Sequence, residues 1–322
     1  MKLNLDLLTT IPRSLLPDRV TSARFIHGGL NNRNILINEK WLIKQFLISD
    51  ETTDPVYQRF LREKNTLELF KDNIHAPRLL EYTDDPPNFF IRRKWVQGVP
   101  ITFTQAQDYV NLLIEGLFFI HCLDTPLAGD FNYFDVIKRY LQEYKRIYTD
   151  FVSDPSELEE LPSIPPDQLL GSFFSNQLSQ IHDNASDKTV ARIHGDLVLS
   201  NIILTDNDKK IVFIDWEYST IADPLIDFAY LLTQNDLSPQ VQLALIQSYQ
   251  KKLQRPLNID LLNLYQGLMN LMSGLWYFIH AFRLKSFPSQ YSKQQPPWKY
   301  FIQLGLRRFQ AIDLVSRNEA IL

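Results

Sequence analysis

The 322-residue sequence predicts an α+β protein of two lobes: a small sheet lobe over residues 1–93, a connector at 94–98 and a larger, mostly helical lobe over 99–322. Three observations predict it. Short segments rich in β-branched and aromatic residues, bounded by turn formers, crowd into the first 93 residues. From Thr104 onward the apolar periodicity is mainly helical. The length exceeds one average domain and suits two lobes.

Taken in order, FIHGG, RNILIN, WLIKQFL, PRLLEY and NFFIRR read as strands, and Val56 to Phe70 between them has helical spacing. Beyond the connector, helical periodicity covers 105–123, 131–152, 166–184, 224–234, 238–252, 258–284 and 298–318. Strand signals at NIILT and KKIVFID interrupt it, and the acid- and proline-rich stretch 153–167 reads as a solvated loop. The apolar run Leu261–Phe282 is long enough to span a membrane. Its Asn263, Gln266, Asn270 and Tyr277, however, share one helical face, so it reads as a buried helix with one face on a cavity or on solvent.

Composition narrows the function classes. Hydrophobic residues at 45% and charged ones at 22% imply a real core and exclude disorder as the main theme. Lys plus Arg at 33 against Asp plus Glu at 37 leaves a net charge of −4, which argues against a protein built to coat nucleic acid. A single cysteine, Cys122, admits no internal disulfide and fits a reducing compartment. The opening MKLNLDLLTTIPRS lacks the apolar segment of a secretory signal, so a cytoplasmic protein is expected.

Several segments carry chemistry. Gly28 and Gly29, followed by Leu30, Asn31 and Asn32, stand between two strand signals; such a stretch can form a hairpin turn or present N–H groups to an anion. Alternation along WLIKQFL puts Leu42, Lys44 and Phe46 on one face. A lysine there needs a counter-charge or a ligand. The helix YQRFLREKNTLELF sets Phe60, Glu63, Leu67 and Phe70 on one stripe, which suggests a Lys44–Glu63 pair. In isolation, a snorkelling lysine and a glutamate at the stripe's margin fit equally well. Downstream, His194-Gly195-Asp196 closes an apolar strand, Asn201 opens the next and Asp215 ends a third. This set of hard oxygen donors suits Mg²⁺ better than zinc.

HGDLVLSN followed by FIDWE resembles the phosphotransferase family that includes choline/ethanolamine kinases, thiamine kinase and aminoglycoside phosphotransferases. GGLNNRNILI, WLIKQF, REKN and FFIRRKWVQGVPI are similar to the family's phosphate loop, phosphate lysine, helix glutamate and inter-lobe hinge, in family order over roughly residues 25–235. The resemblance implies a protein-kinase-like fold with a small antiparallel-sheet lobe. It implies Asp196 as the base, Asn201 and Asp215 as Mg²⁺ ligands, and His194 and Asp227 as supports of the catalytic loop. ATP phosphates are expected on Lys44, oriented by Glu63, under Gly28, Gly29, Leu30, Asn31 and Asn32. Backbone groups of Lys94 and Val96 are expected to meet the adenine.

Asp223-Pro224 opens a helix only eight residues after Asp215, which leaves no room for the long segment on which a protein substrate would dock. The acceptor is therefore expected to be a small-molecule alcohol, with no nucleic-acid, membrane or protein partner. SGLWYFIHAF resembles the choline kinase segment that walls the quaternary ammonium. Trp276 matches one of its tryptophans, whereas Ser273 stands where another is usual. Tyr277 and Glu217 are the further acceptor-side candidates, and Trp298 and Tyr300 can supply aromatic surface. Choline or ethanolamine is the first expectation, followed by thiamine and then an aminoglycoside. A catalytically silent binding protein of the same fold is the expectation from another class. A metal-dependent hydrolase lacks its ligand set.

Overall fold

The computed structural model describes residues 8–26, 32–47, 55–123, 132–152, 167–183, 190–207, 209–286 and 296–316. The expected phosphate-loop residues Gly28, Gly29, Leu30 and Asn31, and nearly all of the expected loop 153–167, lie outside them. The chain divides into two compact units, each described by itself. The first comprises 1–131, 191–222 and 240–254; the second comprises 132–190, 223–239 and 255–322.

The first unit begins with an antiparallel sheet of β1 (Ala23–Ile26), β2 (Asn32–Ile37), β3 (Trp41–Phe46), β4 (Leu79–Asp85) and β5 (Asn88–Lys94), in the order β1-β2-β3-β5-β4. Helix α1 (Val56–Leu69) falls between β3 and β4 in the chain. Both faces of β3 are covered. Ile43 joins Ile35, Ile37 and Phe90 under the N-terminal segment, where Ile11 and Leu15 complete the cluster. That segment carried no strand or helix signal, and it folds as a short 3-10 turn at Arg13–Leu15. The opposite face carries Leu42, Lys44 and Phe46, each 2% exposed, as the alternation predicts. Phe60 of α1 packs edge-on against Phe46 at 5.7 Å and stacks on Phe89 at 5.4 Å. Phe60, Glu63, Leu67 and Phe70 are all buried, so the predicted stripe faces the core.

Beyond the sheet, β6 (Gly98–Pro100), β8 (Ile202–Thr205) and β9 (Ile211–Phe213) form a three-stranded sheet, and β7 (Ala191–Ile193) pairs with β10 (Thr220–Ala222). Gly98 sits where β6 crosses β8, and a Cβ there would collide with the Leu204 carbonyl. Strands β6 and β10, three residues each, are too short to leave a period in the sequence. Helix α2 (Val110–His121) starts five residues later than the periodicity suggests. The preceding segment is held in turns, where Gln105 Oε1 accepts from the backbone and hydroxyl of Thr102 at 3.3 and 3.0 Å. Such local side-chain bonds compete with helix formation.

The second unit is helical: α3 (Tyr133–Val152), α4 (Asp167–Asp183), α5 (Leu225–Gln234), α7 (Ile259–Ser286) and α8 (Trp298–Ser316), with α6 (Pro239–Leu253) belonging almost wholly to the first unit. Helix α7 packs against α3, α4, α5 and α8. It is the former membrane candidate, and among the described residues no helix is long and apolar enough to cross a membrane. At the head of α5, Asp223 Oδ1 accepts the Leu225 N–H at 2.9 Å, the capping role expected of it.

Helices α7 and α8 approach through glycines. A Cβ on Gly305 would lie 2.6 Å from the Phe278 ring and 3.1 Å from the Gly274 carbonyl oxygen. Gly305→Ala should therefore overpack this crossing and cost about 1–3 kcal/mol of stability. Denaturant unfolding measures the loss; an unchanged midpoint would show that the helices have room to part.

Candidate active site

Lys44 cannot leave its face of β3, and its ammonium is almost fully buried. An unpaired ammonium there would be strongly unfavourable. The fold answers with three carboxylates. Glu63 Oε2 from α1 lies 2.5 Å from Lys44 Nζ, Glu217 Oε2 lies 3.2 Å away, and Asp215 Oδ1 pairs with the same nitrogen. Glu217 is held in turn by Asn32 Nδ2 at 2.7 Å and by Arg59 Nη1 at 3.5 Å. Arg62 Nε donates to the Glu217 backbone carbonyl at 2.6 Å.

Asp215 follows β9 with φ of 71°, a left-handed conformation that aspartate tolerates better than most residues. The turn behind it is fixed by Trp216, whose indole N–H donates to the Phe213 carbonyl at 2.9 Å. The same fully buried ring meets Phe70 at 4.9 Å and His194 at 4.5 Å.

Burial alone would lower the Lys44 pKa, but Asp215, Glu217 and Glu63 together raise it above the ordinary lysine value. For Asp215, burial pushes upward and is overcome, chiefly by the charge and hydrogen bond of Lys44, so its carboxyl titrates below the usual range. Burial wins at Glu63, whose pKa is raised despite Lys44.

The second group follows β7. Asp196 N–H donates to His194 Nδ1 at 3.2 Å, so that nitrogen is unprotonated. The proton then sits on Nε2, which donates to the Ile214 carbonyl at 2.9 Å. Asn201 Nδ2 donates to both Oδ2 and the backbone oxygen of Asp196 at 3.0 Å, and Ile214 N–H donates to the Asn201 carbonyl at 2.9 Å. Asp196 and the residue before Asp215 are thus laced together twice, through His194 and through Asn201.

The structure therefore brings Asn32, Lys44, Glu63, Asp215 and Glu217 into one cluster, with His194, Asp196 and Asn201 laced beside it. Glu217, expected on the acceptor side, directs its carboxylate at Lys44, Asn32 and Arg59. Carboxylate oxygens of Glu63, Asp215 and Glu217 lie within 4.8 Å of one another, a donor set of the hard type that suits Mg²⁺. At the connector, Lys94 N–H donates to the Arg78 carbonyl at 2.8 Å, and Trp95 N–H donates to the Lys40 carbonyl at 2.8 Å. Asp227 is buried in the first turn of α5. In the second unit Trp276 is half-buried, stacked on His280 at 4.9 Å and edge-on to Tyr277 at 5.3 Å, while Ser273 is buried. Trp298 has Lys285 and Lys299 at 5.3 and 5.7 Å from its ring.

Three arginines were missed. Arg59 precedes Glu63 by one helical turn, and Arg62 adjoins it. Arg93 alternates with Phe89 and Ile91 on β5. The spacing carried a signal for both Arg59 and Arg93, since each shares a face with apolar core residues.

Residues 22–258 match the family described as the phosphotransferase enzyme family. Protein LicA of Haemophilus influenzae is 23% identical over 226 residues, which cover 69% of this chain and 61% of that protein, somewhat under two thirds of its length. The structure of choline kinase LicA from Streptococcus pneumoniae superposes with a TM-score of 0.69 at 20% identity, covering 96% of each chain. The GDP complex of wild-type aminoglycoside 2'-phosphotransferase-IIIa gives a TM-score of 0.60 at 18% identity, covering 98% of this chain and 100% of that one. The kinase-like α+β fold expected from the motifs is the fold observed.

Lys44 and Glu63 should be energetically coupled. In a double-mutant cycle of Lys44→Ala and Glu63→Ala, the two losses in stability should fall short of additive by about 0.5–3 kcal/mol. Additive losses in urea unfolding would mean two unrelated charges.

Proposed function

The chain belongs to the phosphotransferase enzyme family, and we propose that it transfers the terminal phosphoryl group of a purine nucleoside triphosphate to the hydroxyl of a small cationic amino alcohol of the choline or ethanolamine type. The observation that carries this reading is the lacing of Asp196 to Asn201 and to the strand end that presents Asp215 to Lys44. Phosphoryl transfer needs positioning and charge neutralisation more than covalent chemistry, and this cluster supplies both.

Lys44 binds the phosphates in this reading, held in place by Glu63. Asn201 and Asp215 would hold Mg²⁺, which would neutralise phosphate charge. Asp196, one oxygen of which is fixed by the Asn201 amide, takes the proton of the acceptor hydroxyl. The acceptor oxygen forms its bond to the terminal phosphorus as the bond to the bridging oxygen breaks, and the nucleoside diphosphate leaves. The connector 94–98 receives the base through the Lys94 carbonyl and the Val96 backbone. Trp276 and Tyr277 form the acceptor's aromatic side. One structural relative is a choline kinase, which supports this acceptor class, and the other is a GDP complex, which supports a purine nucleotide. Thiamine is the second acceptor reading, favoured by the small buried Ser273 where choline kinases usually carry tryptophan.

Asp196→Asn should lower turnover at least ~10²-fold while Mg²⁺-nucleotide affinity stays near normal, and Asp215→Ala should weaken Mg²⁺-dependent nucleotide binding. A coupled diphosphate-release assay across choline, ethanolamine, thiamine and an aminoglycoside reads both turnover and acceptor. Undiminished turnover in Asp196→Asn would remove that residue from the chemistry.

Trp276→Leu keeps apolar volume and removes the π face. Acceptor affinity should fall by about 1–2 kcal/mol, as for a desolvated cation–π contact, with nucleotide affinity nearly unchanged. Equal losses for choline and a neutral isosteric alcohol would make Trp276 a packing residue.

A further inference from the structure

Arg93 is the charged residue that the proposed chemistry leaves unexplained. It is 4% exposed, and its Nε and Nη1 are fully buried with no hydrogen-bond partner. Its neighbour Arg92 points to the other face, where both terminal nitrogens are paired, Nη1 with the Leu15 carbonyl and Nη2 with Glu81 Oε2, each at 3.1 Å, and only its Nε is buried without a partner. A guanidinium stays charged at any accessible pH, so burying it without acceptors is strongly unfavourable unless something else supplies them. Glu63 Oε1 is also buried without a partner, yet no hydrogen bond forms between the two. Glu63 and Asp215 attract Arg93 as charges, but both are bound to Lys44.

The strand register says on which face Arg93 stands. Arg93 pairs with Leu42, and Ile91 pairs with Lys44. Directly opposed residues share a face, so Arg93 and Lys44 occupy the same side of the sheet. They stand two residues apart along the strands, about 7 Å at the rise of a β-strand. Arg93 is also the residue immediately before Lys94, where the base is placed. The direction from Lys44 to Arg93 therefore runs from phosphate towards base.

We propose that Arg93 reads the nucleobase and makes the phosphoryl donor a 6-oxopurine nucleotide, guanine in type, in preference to ATP. The inference rests on the nucleotide reading of this site. Its chemistry is that of the two purine edges. Guanine presents two acceptors side by side, O6 and N7, which match the guanidinium fork. Adenine presents one acceptor, N7, beside the N6 amino group, a donor that would face the guanidinium's own N–H groups. One purine satisfies the buried arginine, and the other leaves it partly unpaired.

The test is calorimetric binding of ADP, GDP and IDP with Mg²⁺, because IDP carries the 6-oxo group without the 2-amino group of guanine. GDP and IDP should both bind at least about tenfold more tightly than ADP, the scale expected of one bidentate contact. Arg93→Met should erase that preference by weakening GDP and IDP while leaving ADP within about threefold, and Arg93→Lys, which keeps the charge and loses the fork, should erase it too. ADP binding as tightly as GDP and IDP in the unmodified protein overturns the proposal, whether or not the variants fold. Equal weakening of all three in Arg93→Met also overturns it, and makes Arg93 a positioning charge for Glu63. If no diphosphate binds, the nucleotide reading falls with it; if ADP alone binds well, that reading stands and only the base assignment fails.

Discussion

One buried ammonium organises this protein's chemistry. Lys44 is fixed by strand register and apolar neighbours, and three carboxylates from separate parts of the chain converge on it. Removing one partner of a buried ion pair typically costs about 3–5 kcal/mol, because the other charge is left uncompensated. Here the penalty would be shared by three acids that repel one another once the lysine is gone. Arg59 and Arg93 bring the buried cations to three, equal to the acids, so the cluster is close to neutral by itself.

The second organising device is neutral. His194 holds no catalytic charge in this arrangement; its two ring nitrogens join the Asp196 backbone to the strand that delivers Asp215. Stacking on Trp216 and complete burial keep the ring in that orientation. Asp196 and Asp215, which arrive on different loops, are thereby kept in register by one imidazole, and the Asn201 amide and backbone carbonyl repeat the connection.

Much of this was legible in the sequence, and the reasons are specific. Lys44 and Glu63 each sat on an apolar stripe, the one at period two and the other at the helical period, so alternation suggested their pairing, while a snorkelling lysine fitted the same pattern until the structure buried both. Asp196, Asn201 and Asp215 were recognisable because the short strands between them left their spacing intact. Glu217 was placed on the acceptor side since nothing local reveals that its partners are Asn32 and Arg59, both distant in the chain. Strands β6 and β10 were too short to show a period, and the turns before α2 depend on a glutamine side chain bonding locally. Arg93 was overlooked because in RRK it reads as one of several surface charges, although its alternation with Phe89 and Ile91 places it on the inward face.

The ion pair between Lys44 and Asp215 closes a gap of 171 residues, and that distance has a history during synthesis. A ribosome adding roughly 5–20 residues per second needs on the order of ten seconds or more to make the intervening chain. During that interval Asp215 and Glu217 do not yet exist, so of the three carboxylates only Glu63 is available to Lys44. The Lys44–Glu63 pair is thus the first of the three contacts that the growing chain can make. Variants that weaken it should show their defect first in yield from the cell, ahead of any change in the purified enzyme.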